Sequence, residues 1–314
     1  MTLKLGYLLP TRRRVMEGEH DTDRILELAD LAEEIGLDSV WVGDSVTAKP
    51  RHDPITLLAA IAARTERIGL GTAVLVPMLR NPTLLAHQLA TLDRISHGRF
   101  VLGVGLARDV PAIRAEFAAV GVPFEKRVGR MLEGLRLCRA LWSAAPVDWD
   151  GRWTLAGATL APEPFTPGGP KIWGGGGVPA ALRRCAANFD GWFPSGRGRG
   201  GADWGADWQT LRAHAEEAGR DPAEIAGAAY VTVAIDQDPK AAEAQLESYL
   251  ARYYNLPPGR IRTEEYVFAG DRAAVAGWIA GFVEAGCGHL CVRVTGSDDA
   301  RQMVELAELS GRIG

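Results

Sequence analysis

Two glycine-rich segments of this sequence could hold a flat or anionic ligand. The first is a run of four glycines followed by Val178 and Pro179. Glycine lets the backbone approach a ligand closely, and the helix that follows offers free N–H groups at its start. A tight turn between a strand and a helix would need one glycine rather than four, so the run favours ligand contact. The glycines are Gly174, Gly175, Gly176 and Gly177.

The second segment has residue types that suit a phosphate. Ser195, Gly196 and Arg197 offer a hydroxyl, a flexible backbone and a guanidinium fork, and Gly198 follows them. A solvated loop accounts for the same composition equally well, so this segment alone does not decide between the two interpretations.

Polar side chains also follow two predicted strands. Asp44 and Ser45 come after the second strand, and Arg108 and Asp109 come after the fourth. Asp44 and Asp109 are the only plausible carboxylate pair, and they do not form an obvious glycosidase arrangement. The histidines lack the paired spacing of metal ligands, and no Ser-His-Asp or Cys-His motif can be assembled. We therefore expect no metal site.

The composition excludes several classes of partner. The chain has 314 residues, 47% of them hydrophobic, and a formal net charge of −4 with both signs interspersed. This balance gives no electrostatic footprint for nucleic acid or an anionic membrane. No apolar run approaches the ~20 residues that span a bilayer, and residues 1–10 indicate a strand rather than a signal peptide. The four cysteines have no metal spacing, and we expect them to be reduced in a cytoplasmic protein.

Hydrophobic periodicity predicts strands and helices in strict alternation. Each predicted strand is short and almost uniformly apolar, which is typical of parallel strands buried on both faces. Residues 146–165 interrupt the alternation and indicate a hairpin-like insertion. The predicted strands are 4–9, 39–43, 68–75, 99–105, 171–173, 191–193, 228–235 and 289–294. The predicted helices are 23–35, 54–65, 82–96, 125–142, 180–187, 204–219, 241–254, 272–285 and 298–309.

Eight strand–helix units favour a single-domain (β/α)₈ TIM barrel over residues 1–314, with insertions after strands four, six and seven. The competing fold is a doubly wound open sheet. Leu8, Leu9 and Pro10 stand where such a sheet would carry a glycine-rich dinucleotide turn after its first strand. In a TIM barrel the working groups lie at the C-terminal ends of the strands, where the segments described above are found.

At these positions the chain resembles the luciferase-like, flavin-utilising monooxygenase family. The resemblance extends from residue 1 to about residue 310 and is weakest over 225–265. Each motif is weak alone, and their combination is specific. The motifs are DSVWVGD (38–44), DPITLLAAIAART (53–65), IGLGTAVLVP (68–77), LATLDRISHGRFVLGVG (89–105), KIWGGGG (171–177), DGWF (190–193) and AGRDP (218–222).

The resemblance implies that FMN or the deazaflavin coenzyme F420 binds at the C-terminal mouth of the barrel. It places a non-prolyl cis peptide at Ala73–Val74, behind the ring, and the cofactor phosphate on the loop with Ser195, Gly196 and Arg197. The AGRDP and SGRG segments are most similar to the F420-using branch, so we expect F420 in preference to FMN. The remaining expected cofactor contacts come from their positions at the ends of predicted strands: Thr72, Gly103, Gly105 and the four glycines at 174–177.

The chain departs from the family pattern at two positions. F420-dependent dehydrogenases usually carry histidine directly after the strand-two aspartate, and glutamate three residues after the glycine that ends strand four. This chain has Ser45 and Arg108 there. A histidine–glutamate acid/base pair therefore cannot be carried over, and a sugar-phosphate dehydrogenase is disfavoured. Asp44, Ser45 and Arg108 become the candidate catalytic residues, and a substrate group is a further candidate for handling the proton.

We therefore predict an oxidoreductase that transfers hydride to or from a small organic substrate, or monooxygenates it. A homodimer is expected, and a separate flavin reductase is an optional partner. The alternatives are a TIM-barrel hydrolase or lyase without a redox cofactor, and a flavin-binding protein without turnover. Binding of a flavin would exclude the hydrolase, and turnover would exclude the binding protein.

Overall fold

The computed structural model of the protein describes residues 2–196 and 198–310. The strands are β1 (Lys4–Leu8), β2 (Ser39–Val42), β3 (Gly69–Thr72), β4 (Phe100–Val104), β5 (Val147–Asp150), β6 (Thr154–Ala158), β7 (Lys171–Gly174), β8 (Gly191–Trp192), β9 (Ala226–Ile235), β10 (Tyr266–Gly270) and β11 (His289–Val294). The helices are α1 (Thr11–Met16), α2 (Asp23–Glu34), α3 (Pro54–Arg64), α4 (Pro82–Ile95), α5 (Pro111–Ala119), α6 (Arg127–Leu141), α7 (Pro179–Asn188), α8 (Gly201–Glu217), α9 (Pro239–Tyr254), α10 (Pro258–Glu264), α11 (Arg272–Glu284) and α12 (Asp299–Ser310).

The strand order confirms the predicted (β/α)₈ barrel. The main sheet runs β10-β9-β11-β1-β2-β3-β4-β7-β8, and a further pairing of β8 with β9 closes it. The closing ladder is parallel and joins Gly191 to Ala226 and Trp192 to Gly227. The predicted strands five to eight correspond to β7, β8, β9 and β11, because β5 and β6 form the predicted hairpin outside the main sheet.

Several helices begin where the sequence predicts. The Asp53 side chain accepts a hydrogen bond from the Thr56 N–H at the start of α3, and Asp271 accepts one from the Ala274 N–H at the start of α11. Both are N-caps that satisfy a donor left without an intrahelical partner. Pro54 and Pro82 occupy the first positions of α3 and α4, where their missing N–H costs nothing.

The sequence prediction missed one strand of the main sheet. β9 is ten residues long: its first two residues pair with β8, and Val231 to Ile235 pair with β10. β10 lies in a segment that was predicted to be an insertion. Its three central residues are partly exposed, so it lacks the fully apolar pattern of the barrel strands. Three short helices, α1, α5 and α10, were also not predicted.

The residues form two compact units. The first unit comprises Met1–Trp41 and Trp173–Gly314, and the second comprises Val42–Ile172. The first unit has two aromatic clusters: Trp192, Trp204 and Trp208 stack on one another, and Trp41 packs against Trp173 and Phe193. Rings of this size dominate the apolar area that a core buries.

In the second unit, the β5–β6 hairpin is attached to α6. Glu133 on α6 accepts a hydrogen bond from the backbone N–H of Arg152, with N and O 2.6 Å apart, and forms an ion pair with the Arg152 guanidinium. No helix among the described residues is long and apolar enough to cross a membrane.

Candidate active site

A bulge in β3 is the central feature of the second unit. Gly71 pairs with Val101 of β4, and pairing resumes where Leu75 bridges Val104. The chain advances four residues on the β3 side and three on the β4 side, so the β3 side has one extra residue. The extra residue falls where the Ala73–Val74 peptide bond is cis, as the family resemblance implied. Bulges of this kind redirect the backbone and are common beside active sites.

Hydrogen bonds to Gly103 hold the bulge in place. The Gly103 carbonyl accepts from the Thr72 hydroxyl at 2.7 Å and from the Leu75 N–H at 2.8 Å. The Leu75 carbonyl in turn accepts from the Gly105 N–H at 3.0 Å. The structure thus brings together the predicted cofactor residues of β3 and β4.

Gly105 is a glycine because Val74 lies directly against it. A Cβ added at Gly105 would be 2.5 Å from the Val74 Cγ2 atom, which is closer than real Cβ contacts allow. Ala73 and Val74 are partly exposed, while Gly71, Thr72 and Leu75 are buried. The bulge therefore presents one small, accessible surface whose back is supported by Gly105.

Asp44, a candidate catalytic residue, is held in a buried ion pair. Its side chain is 1% exposed, and both carboxylate oxygens accept from the Arg80 guanidinium, at 2.7 and 3.0 Å. The Val76 N–H donates to the same carboxylate at 2.9 Å, and Arg80 also bonds Asp53. Burial works to lower the pKa of Arg80, but its bonds to Asp44 and Asp53 outweigh this and raise it. Asp44 thus anchors the segment that follows the bulge.

Ser45, a second candidate, is bonded to a carboxylate that the sequence prediction missed. Glu116 on α5 is 1% exposed. Its Oε1 atom accepts from the Ser45 hydroxyl at 2.7 Å and from three consecutive backbone N–H groups, of residues 46, 47 and 48, at 2.6, 2.8 and 3.1 Å. The Lys49 N–H donates to the Ser45 Oγ at 2.8 Å. The Ser45 hydroxyl proton is therefore committed to Glu116.

These donors determine the charge state of Glu116. Burial works to raise the pKa of its carboxyl, but the hydrogen bonds from Ser45 and from the backbone of the 46–48 segment outweigh burial and lower it. The second oxygen, Oε2, is buried without a hydrogen-bond partner. A signal for this role was present in the sequence: Glu116 lies between Ile113 and Phe117 on the buried face of α5, where a carboxylate needs a partner.

Arg108, the third candidate, lies on the connection between β4 and α5. The residue is partly exposed, and its carbonyl accepts from the Val110 N–H at 3.2 Å. The adjacent Ala107 has a φ of 60°, so the backbone turns sharply at this point.

In the first unit, the glycine run is fixed by strand β8. The Gly174 carbonyl accepts from the Phe193 N–H, and the Gly176 carbonyl accepts from the Trp192 indole N–H, both at 2.9 Å. Gly176 has a φ of 100°, a conformation that favours glycine. At Gly174, however, an added Cβ would lie 2.2 Å from the Phe189 ring, so packing alone requires glycine there.

The second predicted loop of this unit is seated on β10. The Ser195 carbonyl accepts from the Tyr266 N–H at 2.9 Å, and the Pro194 carbonyl accepts from the Tyr230 N–H at 2.8 Å. Ser195 and Gly196 are both partly exposed. Arg197, predicted to bind the cofactor phosphate, lies outside the described residues.

Comparison with known proteins identifies the family. The family model for luciferase-like monooxygenases matches residues 3–288. The chain belongs to the luciferase-like monooxygenase family. An F420-dependent glucose-6-phosphate dehydrogenase of Kineococcus radiotolerans is 30% identical over 97% of this chain and 95% of the relative. A 5,10-methylenetetrahydromethanopterin reductase of Methanolobus tindarius is 29% identical over 82% of this chain and 75% of the relative. The prediction of an oxidoreductase of this family is confirmed.

Solved structures of this family share the fold. An F420-dependent secondary alcohol dehydrogenase in complex with an F420–acetone adduct superimposes with a TM-score of 0.82, at 22% identity over 100% of both chains. The oxygenating constituent of 3,6-diketocamphane monooxygenase from Pseudomonas putida, in complex with FMN, gives a TM-score of 0.78 at 21% identity, over 100% of this chain and 98% of the other.

The family implies a cofactor that has a flat ring and a phosphate group, and two features of this luciferase-like chain fit such a molecule. In the second unit, the bulge at Ala73–Val74 is small and accessible, and Gly105 leaves the space that Val74 fills. In the first unit, Ser195 and Gly196 form an accessible loop whose backbone is fixed by hydrogen bonds. Ser45 and Arg108 stand where F420-dependent dehydrogenases of the family usually carry histidine and glutamate. A buried carboxylate next to Ser45 is supplied instead by Glu116, from a different position along the chain.

Proposed function

We propose that this protein binds a phosphate-bearing deazaflavin or flavin, F420 in preference to FMN, and transfers hydride to or from a small organic substrate. The observation that carries the proposal is the accessible bulge at Ala73–Val74, supported by Gly105 and by the hydrogen bonds to Gly103. The preference for F420 is supported by the relatives of about 30% identity, whose names specify that coenzyme.

The bound cofactor supplies the hydride-accepting or hydride-donating ring, and the protein contributes orientation and exclusion of water. In this proposal the Ala73–Val74 bulge would hold the ring, and Thr72 fixes the bulge through its bond to Gly103. The Gly174–Gly177 run would contact the cofactor, and Ser195, Gly196 and Arg197 would hold its phosphate.

The proposed roles of the catalytic candidates follow from their hydrogen bonds. Asp44 holds the segment that begins at Val76 through its bond to that N–H. Ser45 donates its proton to Glu116, so toward a substrate it offers only a lone pair and would accept a hydrogen bond from an O–H or N–H group. Arg108 would contact the substrate from the connection that follows β4.

The wider proposal is a single-domain cytoplasmic enzyme that forms a homodimer. If FMN rather than F420 is the cofactor, a separate flavin reductase would supply it in reduced form. Monooxygenation is the reaction expected in that case.

Cofactor titration tests the proposed function. Calorimetry with F420, FMN and riboflavin should give micromolar or tighter binding of at least one phosphate-bearing ligand, with F420 bound more tightly than FMN and riboflavin bound more weakly. Absence of binding by both F420 and FMN at about 1 mM would contradict the proposal.

A further inference from the structure

The loop proposed to hold the phosphate is in close contact with the start of β10. Gly196 has a φ of +143°, and a Cβ added there would lie 2.4 Å from the Glu265 Cα and 2.5 Å from the Tyr266 N. The Ser195 carbonyl accepts from that same Tyr266 N–H at 2.9 Å. Because the contact involves backbone on both sides, any displacement of residues 265 and 266 must displace the loop.

The Glu265 side chain anchors this segment to the interior of the first unit. The residue is 4% exposed. Its carboxylate accepts from the Arg293 Nη2 at 2.9 Å and from the Tyr254 hydroxyl, which lies 2.6 and 2.7 Å from the two carboxylate oxygens. The carboxylate is therefore paired with a cation and a hydroxyl donor inside the protein.

Arg293 ties three strands together. It is 3% exposed, lies on β11, donates from Nε to the Thr232 hydroxyl on β9 at 3.0 Å and bonds Glu265 just before β10. It also donates to the Tyr254 hydroxyl at 2.9 Å. Four tyrosine rings surround the guanidinium, with centroids 4.6 to 5.5 Å away: Tyr230, Tyr249, Tyr253 and Tyr254.

A buried ion pair of this kind gives little net stability, because the loss of hydration offsets most of the attraction between the charges. What it can give is a fixed arrangement of the segments that carry it. Here those segments are β11, β9 and the start of β10, and the loop at Ser195–Gly196 rests on the last of them.

We infer that Glu265 and Arg293 are positioning residues that hold the Ser195–Gly196 loop in the conformation that binds the cofactor phosphate. The inference rests on the proposed function, since it assumes that this loop meets the phosphate. It assigns a role to the 225–265 region, where the family resemblance is weakest. Neither residue needs to touch the cofactor.

The test compares ligands with and without the phosphate. We expect Glu265→Gln to weaken binding of FMN about tenfold and to change riboflavin binding less than about twofold. The same contrast is expected between F420 and its phosphate-free deazaflavin. Gly196→Ala, which forces the loop off β10 directly, should reproduce this pattern. Binding is measured by calorimetry on the purified full-length chain.

A second buried ion pair in the same unit provides a matched control. Asp299 accepts from Arg13 at 2.5 Å and from the Tyr7 hydroxyl at 3.1 Å, so it has the same arginine–carboxylate–tyrosine arrangement as Glu265. Asp299→Asn should lower the melting temperature without changing the ratio of FMN to riboflavin affinity. Tyr254→Phe, which removes the hydroxyl that bonds both Glu265 and Arg293 but leaves their ion pair, carries the test if Glu265→Gln does not fold.

The outcomes separate the inference from the proposed function. If the wild-type protein binds neither F420 nor FMN, the proposed function itself fails. If the wild type prefers phosphate-bearing ligands but Glu265→Gln or Tyr254→Phe weakens FMN and riboflavin equally, the two residues only stabilise the fold and the inference is overturned. A wild type that binds FMN and riboflavin equally well also overturns it.

Discussion

Ser45 and Glu116 share a hydrogen-bond system in which one carboxylate oxygen serves four donors. Three of these donors are successive backbone N–H groups, an arrangement that binds anions in many proteins. Here the anion belongs to the chain itself, and it fastens α5 to the segment after β2. At the residue scale, Glu116 is therefore a fixed, buried charge that holds Ser45 and the three residues after it in place.

We expect Glu116→Gln to lower the free energy of unfolding by about 1.5–3 kcal/mol at pH 7, because charge-assisted hydrogen bonds to the loop are lost. The folded-state pKa of Glu116 is lowered, so its contribution is present above the unfolded pKa of about 4.3 and is lost as the pH falls through the folded value. The difference between variant and wild type should thus be constant from pH 8 to 6 and shrink below about pH 4. Urea unfolding at several pH values measures it.

Glu125 provides the control for this variant. Its side chain is 71% exposed and forms an ion pair with Arg114 at 2.6 Å. Glu125→Gln should destabilise the protein much less than Glu116→Gln, because an exposed pair is well solvated before and after the change. Equal losses for the two variants would show that Glu116 is no more than an ordinary surface carboxylate.

At the scale of the elements, β3 is followed by the bulge that we propose as the surface for the ring. We expect Gly105→Ala to push Val74 and the bulge out of place, since the added Cβ would lie 2.5 Å from the Val74 Cγ2. FMN and riboflavin should both bind about tenfold more weakly, as the change affects the ring rather than the phosphate. Calorimetry with both ligands checks this.

Gly277 on α11 is the matched glycine for that experiment. Nothing lies within 4 Å of a Cβ added there, so Gly277→Ala should bind both ligands as the wild type does and be slightly more stable. A Gly105→Ala protein that loses affinity for FMN but keeps that for riboflavin would contradict the assignment of the bulge to the ring.

The barrel strands could be predicted from sequence because each is a short apolar run with no polar face, as a parallel strand covered by helices requires. β10 could not be predicted in this way, because its central residues are partly exposed and its pairing partner, the far half of β9, lies more than 30 residues earlier in the chain. α5 was missed because it is nine residues long with only three buried positions, and Glu116 is one of them.

The part of the candidate site that lies on β3 and β4 could be predicted, because the ends of apolar strands are clear in the sequence. The β3 and β4 positions that the structure brings together, Thr72 with Gly103 and Val74 with Gly105, follow from strand ends that the sequence marks clearly. The roles of Glu116 and Glu265 depend on contacts between elements far apart in sequence. A single sequence contains no local signal for such pairings beyond a charged residue in an apolar pattern.

On the scale of the whole molecule, the core of the first unit contains an ionisable group that makes stability depend on pH. His289 on β11 lies edge-on to the rings of Trp41 and Trp173, each 5.4 Å away between centroids. The Ser39 hydroxyl accepts from the Trp41 indole N–H at 2.7 Å and lies 2.8 Å from the His289 Nε2. A neutral imidazole accepts the Ser39 proton at Nε2 and completes this chain of hydrogen bonds.

Burial, with a smaller contribution from the Lys4 charge, lowers the pKa of His289 to about 3. In the unfolded chain the same ring titrates near 6.5. Between these values the unfolded state binds a proton that the folded state does not, so stability falls as the pH decreases from about 6.5 toward 3. One such proton changes the free energy of unfolding by about 1.4 kcal/mol per pH unit.

We therefore expect the loss of stability between pH 6 and pH 5 to be smaller in His289→Gln than in the wild type, by about 1.4 kcal/mol per pH unit. The variant is less stable than the wild type at pH 7, because the aromatic packing and the Ser39 bond are disturbed, but the quantity that tests the assignment is the slope. Urea unfolding at pH 7, 6 and 5 measures it, with His20→Gln, at an exposed histidine outside the aromatic core, as the control. A His289→Gln slope equal to the wild-type slope would mean that the ring is charged in the folded protein, and that the aromatic core of the first unit admits a cation.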